Sequence, residues 1–178
     1  MWVFGYGSLM WGDWEAEFQG INRGKARLRG YHRAFNKKST SNWGRWNTPC
    51  PTLGLEKSSN EECVGLVFKF NEDQRQSIKA YLEEREGKSF KLVEKEVELV
   101  SGQKVMALTP INRHNMNTYI RNIDINARVD MARKASGKNG SCIEYIQNIH
   151  IRCKELGIQD EYVQKMWDLI NYDVPTLE

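Results

Sequence analysis

The sequence predicts an α+β fold, a single domain over residues 1–178 in which strands surround one helix and further helices follow. Two observations carry this prediction. Apolar runs of strand type fill most of the chain up to residue 111, interrupted by one amphipathic helical segment, whereas from Asp124 onward the apolar residues recur at helical spacing. Strands that precede helices in this way are typical of α+β proteins, and the strands can close into a small barrel.

Length and composition limit the class of protein. A chain of 178 residues with 40% hydrophobic and 28% charged residues is long enough to bury a core and is not disordered as a whole. The net charge of +3 is compatible with anionic ligands and does not require nucleic acid. The apolar start lacks the basic residues and uninterrupted core of a signal peptide, and no run approaches about 18 apolar residues. We therefore expect no membrane partner.

The strands are predicted from four segments. "WVFGY" at the start is a first strand, and residues 22–40 alternate with period two, placing Arg27 and Arg29 opposite Ala26 and Leu28. "SNWGRWNTPCP" has the composition of a loop rich in tryptophan. "CVGLVFKF", residues 63–70, is a continuous apolar strand. Residues 90–111 then form a hairpin that turns at Ser101 and Gly102.

The helix between these strands starts at Asn71, which we expect to be its N-cap. Ile78, Tyr81 and Leu82 form its apolar stripe, and Gly87 is placed to end it. After Asp124 the helical segments are "INARVDMARKA", a second one in which Ser141 and Glu144 form a capping box, and "DEYVQKMWDLI". The segment "SGKNG" separates the first two.

The cysteine pattern predicts a reduced, cytoplasmic protein. No pair has CxxC spacing, and Cys142 and Cys153 are about 16 Å apart on one helix, too far to form a disulfide bond. Cys50, beside the tryptophan loop, is expected to be a small packing residue. The histidines are scattered, so no metal site is predicted.

The segment "FGYGSL" follows the first strand directly and has two interpretations. It is an ordinary turn, or it is a loop whose backbone N–H groups bind an anion. It is neither GxSxG, because no glycine follows at the required position after Ser8, nor GxGxxG. The basic strand at 22–40 also has two interpretations, a solvated face or a surface for nucleic-acid phosphates.

Glu86 is the most suggestive single residue. Three carboxylates in "YLEEREG" crowd a helix C-terminus, where the helix dipole disfavours negative charge. Crowding and the dipole would raise the pKa of a carboxyl there toward the range of a general base, which Arg85 partly offsets. The alternative is a frayed and solvated helix end.

Together "VFGYGSLMW", "YHRAFNKKST", "YLEEREG" and "GKNGSCIEYI" resemble the ChaC-type γ-glutamylcyclotransferases from Met1 to about Trp167. The resemblance implies a small mixed β-barrel with flanking helices and a small-molecule γ-glutamyl substrate. It also implies cleavage of glutathione to 5-oxoproline and cysteinylglycine without metal or cofactor, and we expect a monomer or weak homodimer. It implies Glu86 as the catalytic residue. The implied substrate-binding residues are Tyr6, Gly7, Ser8, Leu9, Arg33, Ser39 and Tyr145, with Thr40 beside them.

Two departures concern the leaving amine. "STSNWGRW" stands where family members commonly have "STDHRG", and "GKSF" follows Glu86 where a Gly-Gly-Tyr or Gly-Ala-Tyr element is common. A leaving amine that is bulkier or more aromatic than cysteinylglycine therefore stays open. The alternative function is a non-catalytic module that binds a γ-glutamyl compound in the same pocket or nucleic acid on the basic strand.

Overall fold

The computed structural model describes residues 1–121 and 123–172 of the chain. The barrel strands are β1 (Trp2–Gly5), β2 (Ile21–Ser39), β3 (Cys50–Lys69), β4 (Phe90–Leu99) and β5 (Lys104–Asn112). The α-helices of the described residues are α1 (Arg75–Glu86), α2 (Ile125–Lys134), α3 (Cys142–Glu155) and α4 (Glu161–Tyr172). A short hairpin consists of β6 (Ser136–Gly137) and β7 (Gly140–Ser141).

The strands close into a mixed barrel in the order β1-β3-β2-β4-β5, which confirms the predicted α+β class and the predicted barrel. Strand β1 runs antiparallel to β3, with Val3 opposite Phe68, and it closes the barrel through a parallel pair with Leu108 of β5. Val3 and Phe4 are fully buried because β1 lies between two neighbouring strands.

The described chain divides into two compact units. The first contains residues 1–32 and 55–114, and the second contains residues 33–54 and the described residues from 115 onward. The prediction of one domain over 1–178 stays a prediction. Helix α1 and the β4–β5 hairpin belong to the first unit, and helices α2 to α4 belong to the second.

In the first unit the predicted helix is present but begins later than expected. A 3-10 turn occupies Glu72–Gln74, and the side chain of Asn71 makes no capping hydrogen bond, so the predicted N-cap is wrong. The tighter turn instead satisfies the N–H of Arg75, the first residue of α1, which donates to the Glu72 carbonyl. Ile78 and Leu82 are buried as predicted, and the helix ends at Gly87, whose φ of 72° favours glycine.

In the second unit the predicted helix starts are confirmed. The Asp124 carboxylate accepts from the N–H of Ala127, and Ser141 and Glu144 form the predicted capping box. The N–H and hydroxyl of Ser141 donate to Glu144 and hold the pKa of that carboxyl below its ordinary value. The segment expected only to separate two helices forms the hairpin β6–β7.

The expectation that all cysteines are reduced is wrong. Cys50 and Cys142 form a disulfide bond, with their Cα atoms 5.4 Å apart, whereas Cys63 and Cys153 are buried and form no disulfide bond within the described residues. The two bonded residues are 92 positions apart, so no spacing motif could reveal the pair. Cys50 also begins strand β3 rather than lying in the predicted loop, and it is not a mere packing residue. The cysteine argument for a cytoplasmic protein therefore no longer holds.

Among the described residues, no helix combines the length and the apolar character that a membrane crossing requires.

Candidate functional site

The loop at residues 6–9 follows strand β1 and is held from both sides of its backbone. The buried Tyr6 ring places its hydroxyl so that it donates to the Pro110 carbonyl at 2.8 Å. Gly5 is required just before it, because an added Cβ would lie 2.7 Å from the Cβ of Leu9. The loop is therefore a fixed structure, and Gly5, the first glycine of the motif, is needed because the chain packs closely against itself there.

The carbonyl groups of Gly7, Ser8 and Leu9 each accept a hydrogen bond. The Gly7 carbonyl accepts from the Met10 N–H at 2.9 Å, and the Leu9 carbonyl accepts from the Trp14 indole at 3.2 Å. The Ser8 carbonyl accepts from Arg85 at 3.0 Å.

The backbone N–H groups of the same residues, unlike their carbonyl groups, are available to a ligand. Those of Gly7, Ser8 and Leu9 donate to no acceptor in the described part of the chain. Successive unused N–H groups in a fixed turn form a concavity that favours an anion. The loop can thus hold a carboxylate or a developing oxyanion.

Arg85 connects helix α1 to this loop and was not identified as a site residue from the sequence. One terminal nitrogen of its guanidinium donates to the Ser8 carbonyl and the other donates to the Tyr81 hydroxyl at 2.9 Å. The Tyr81 ring stacks on Trp14 with centroids 5.9 Å apart. The signal in the sequence is the position of Arg85 directly before Glu86. The sequence alone assigns this arginine only a partial compensation of the negative charge.

Glu86 is the last residue of α1 and is half-buried. The N–H of Gly87 donates to the Glu83 carbonyl at 3.0 Å and closes this end, so the helix is not frayed there. Glu86 lines a cavity of about 400 Å³, whose other charged residues are Lys79, Glu83, Lys88, Lys91 and Arg113. Residues 6–9 do not line this cavity. Arg85, adjacent to Glu86 in sequence, provides the connection to them.

The second unit holds the other predicted residues. Tyr145 is buried, its hydroxyl accepts from the Leu53 N–H at 3.1 Å, and its ring centroid lies 5.4 Å from that of Trp43. The Ser39 hydroxyl accepts from the Trp43 N–H at 3.3 Å. Ser39 and Tyr145 thus meet at the tryptophan loop, which the sequence placed only as a neighbouring segment.

Arg33 lies in the same unit and pairs with Asp160, the residue directly before helix α4. The Arg33 side chain is fully buried, and its guanidinium forms an ion pair with Asp160 at 2.9 Å. This partner could not be found from the sequence, because the two residues are 127 positions apart.

The closed barrel and the accompanying helices define a protein of the γ-glutamylcyclotransferase-like fold. A glutathione-specific γ-glutamyl cyclotransferase from yeast shares it, with a TM-score of 0.85 at 18% identity over 97% of this chain and 96% of that one. Residues 1–173 match the family described as ChaC-like protein, and the chain belongs to that family.

Two relatives agree with this assignment. The chain is 28% identical to γ-glutamylcyclotransferase 2-3 of Arabidopsis thaliana, covering 97% of this chain and 89% of the relative. It is 26% identical to the glutathione-specific γ-glutamylcyclotransferase of Escherichia coli, covering 90% of this chain and 68% of the relative.

Proposed function

We propose that this chain is a γ-glutamylcyclotransferase that cleaves glutathione to 5-oxoproline and cysteinylglycine, with Glu86 as its general acid and base. Family membership and the named activities of the relatives support the reaction. One structural observation supports the site. Glu86 ends a helix whose preceding residue, Arg85, binds a loop with three unused N–H groups.

The reaction needs no nucleophile from the enzyme. The α-amine of the γ-glutamyl group attacks its own γ-carbonyl carbon, forming the ring C–N bond, and Glu86 accepts a proton from that nitrogen. The C–N bond to the leaving peptide then breaks, and Glu86 returns the proton to the departing nitrogen. Because the attack is intramolecular, holding the substrate in a ring-like pose supplies much of the rate.

The loop at residues 6–9 takes a second role. The N–H groups of Gly7, Ser8 and Leu9 bind the α-carboxylate or the developing oxyanion. The substrate-binding roles that the resemblance implies for Tyr6, Arg33, Ser39 and Tyr145 stay predictions.

The alternative of a nucleic-acid-binding module is not favoured. Two arginines of the basic strand β2 already pair with carboxylates, Arg27 with Glu62 at 3.4 Å and Arg29 with Glu98 at 3.1 Å. These pairs indicate the solvated face that was the other interpretation of the strand. A cytoplasmic location and a monomeric or weakly dimeric state stay predictions.

Mass spectrometry of 5-oxoproline tests the proposal. The purified protein is mixed with glutathione and with a panel of other γ-glutamyl amines. We expect release from glutathione, and a loss of at least about a hundredfold in rate for Glu86→Gln with the fold retained. Release only from another amine would keep the mechanism and change the substrate. No release from any compound would support the non-catalytic alternative, and unchanged turnover of Glu86→Gln would exclude Glu86.

A further inference from the structure

The cavity at Glu86 carries an excess of positive charge. Lys79, Lys88, Lys91 and Arg113 line it together with two carboxylates, Glu83 and Glu86. Lys79 lies 3.8 Å from Glu83, so these two largely offset each other. Three cations then face one carboxylate, and that carboxylate is the proposed acid and base.

The three cations are available to a ligand. Within the described residues, Lys88, Lys91 and Arg113 form no ion pair with a carboxylate. Arg113 is held in place nonetheless. Its side-chain Nε donates to the Phe90 carbonyl at 2.9 Å, and its backbone N–H donates to the Ser89 carbonyl at 2.8 Å. Lys91 projects from β4, where it stands opposite Ile111 of β5. Lys91 of β4 and the two residues that flank the hairpin, Lys88 and Arg113, thus line the same cavity as Glu86 and pair with no carboxylate of the described residues, an arrangement suited to binding a carboxylate.

The substrate has two ends that differ in position relative to Glu86. The proposed reaction places the scissile amide at Glu86. It places either the α-carboxylate or the developing oxyanion of the γ-glutamyl group at the N–H groups of residues 7–9, which do not line the cavity. The part of the substrate beyond the scissile bond is the leaving amine. Since Glu86 borders the cavity, the leaving amine is the part that enters it, and a cavity of about 400 Å³ is within the range of ligand pockets.

We propose that Lys88, Lys91 and Arg113 bind a carboxylate of the leaving amine and thereby select γ-glutamyl peptides and amino acids over neutral γ-glutamyl amines. This inference rests on the proposed cyclotransferase function. The segments "STSNWGRW" and "GKSF" depart from the common family pattern and leave the leaving amine open. The proposed carboxylate site narrows this choice, because Lys88 belongs to "GKSF".

The test compares glutathione with its C-terminal amide, in which the glycine carboxylate becomes a neutral group of nearly the same size. For the wild type we expect kcat/KM to be about tenfold to a hundredfold higher for glutathione, mostly through KM. In Lys88→Gln/Lys91→Gln this ratio falls toward one. The control Lys95→Gln/Lys104→Gln changes two lysines of the same hairpin that do not line the cavity and keeps the wild-type ratio.

Salt provides a second readout. Since the lysines are exposed, added salt screens their attraction, so the preference for glutathione over its amide declines as ionic strength rises. A steric effect of the amide group would not decline in this way.

The two proposals fail in different ways. A ratio near one in the wild type, or a ratio that the double variant keeps, overturns the carboxylate site and leaves the cyclotransferase in place. No 5-oxoproline from either peptide or from any other γ-glutamyl amine of the panel overturns the cyclotransferase. In that case an NMR titration with S-methylcysteinylglycine and its amide still tests the carboxylate site. Equal binding of the two dipeptides contradicts the site, and so does a preference for the free carboxylate that the double variant keeps. A preference that the double variant loses supports the site.

Discussion

Arg85 donates to the backbone carbonyl of Ser8 at 3.0 Å and so joins the C-terminal end of helix α1 to the loop that follows strand β1. The Ser8 carbonyl thus accepts from a residue of α1, whereas the Gly7 and Leu9 carbonyls accept from Met10 and Trp14, which are close to them in the chain. The bond also fixes the residue directly before Glu86. The guanidinium therefore acts on the reaction through the positions of two other groups, which makes Arg85 a positioning residue.

Replacing Arg85 tests this role. We expect Arg85→Gln to retain the fold and to lose up to about a hundredfold in kcat, because small displacements of a catalytic group are costly. Arg85→Lys should recover only part of the loss, since a lysine cannot bind Ser8 and Tyr81 with the same fork. Kinetics with glutathione measure both variants. Arg75→Gln, at the other end of α1 where the guanidinium pairs with Glu94, is the control and should keep its kcat. Equal losses for the two glutamine variants would show a general effect on the helix.

The loop N–H groups can be tested one at a time. Ser8→Pro removes one donor at the start of the 3-10 turn Ser8–Met10, a position that suits proline. We expect it to lower kcat/KM by about tenfold to a hundredfold, as expected for the loss of one donor to a charged group. Ser8→Ala keeps the N–H and is the matched control. If Ser8→Pro and Ser8→Ala have the same kinetic constants, the loop is only a turn.

Local patterns in the sequence predicted the fold well. The alternation in β2, the apolar stripe of α1 and the capping box at Ser141 each depend on residues close together in the chain, and each is present in the structure. The start of α1 was wrong because a 3-10 turn and an α-helical turn have similar local signals.

The tertiary pairs were not predictable in the same way. The Arg85–Ser8 bond, the Arg33–Asp160 ion pair and the Cys50–Cys142 bond each join residues more than 70 positions apart. Nothing in the sequence near either partner identifies the other. The motifs therefore indicated which residues belong to the candidate site, while the contacts that hold them came only from the structure.

The disulfide bond predicts that unreduced and reduced protein differ in the number of thiols, and that loss of the bond lowers the stability. Unfolded, unreduced protein should titrate two thiols, from Cys63 and Cys153, and reduced protein should titrate four. Because the bond closes a long loop, we expect Cys50→Ala/Cys142→Ala to lower the free energy of unfolding by about 2–5 kcal/mol. Urea unfolding measures this loss, and reduced wild type should show a similar one. Four thiols in the unreduced protein would contradict the bond.

The ion pair between Arg33 and Asp160 predicts a large loss of stability when either partner is removed. The Arg33 side chain is fully buried and that of Asp160 is 10% exposed, so removing one partner leaves the other charge with little water to solvate it. We expect Arg33→Met to lower the free energy of unfolding by about 3–5 kcal/mol, and Asp160→Asn to do so by a similar amount. The double variant Arg33→Met/Asp160→Asn should lose less than the sum of the two, because no unpaired charge remains. Chemical denaturation of the four proteins completes the cycle. Additive losses would show that the two side chains stabilise the unit independently, and a loss of activity without a loss of stability in Arg33→Met would instead support a direct role for Arg33 in substrate binding.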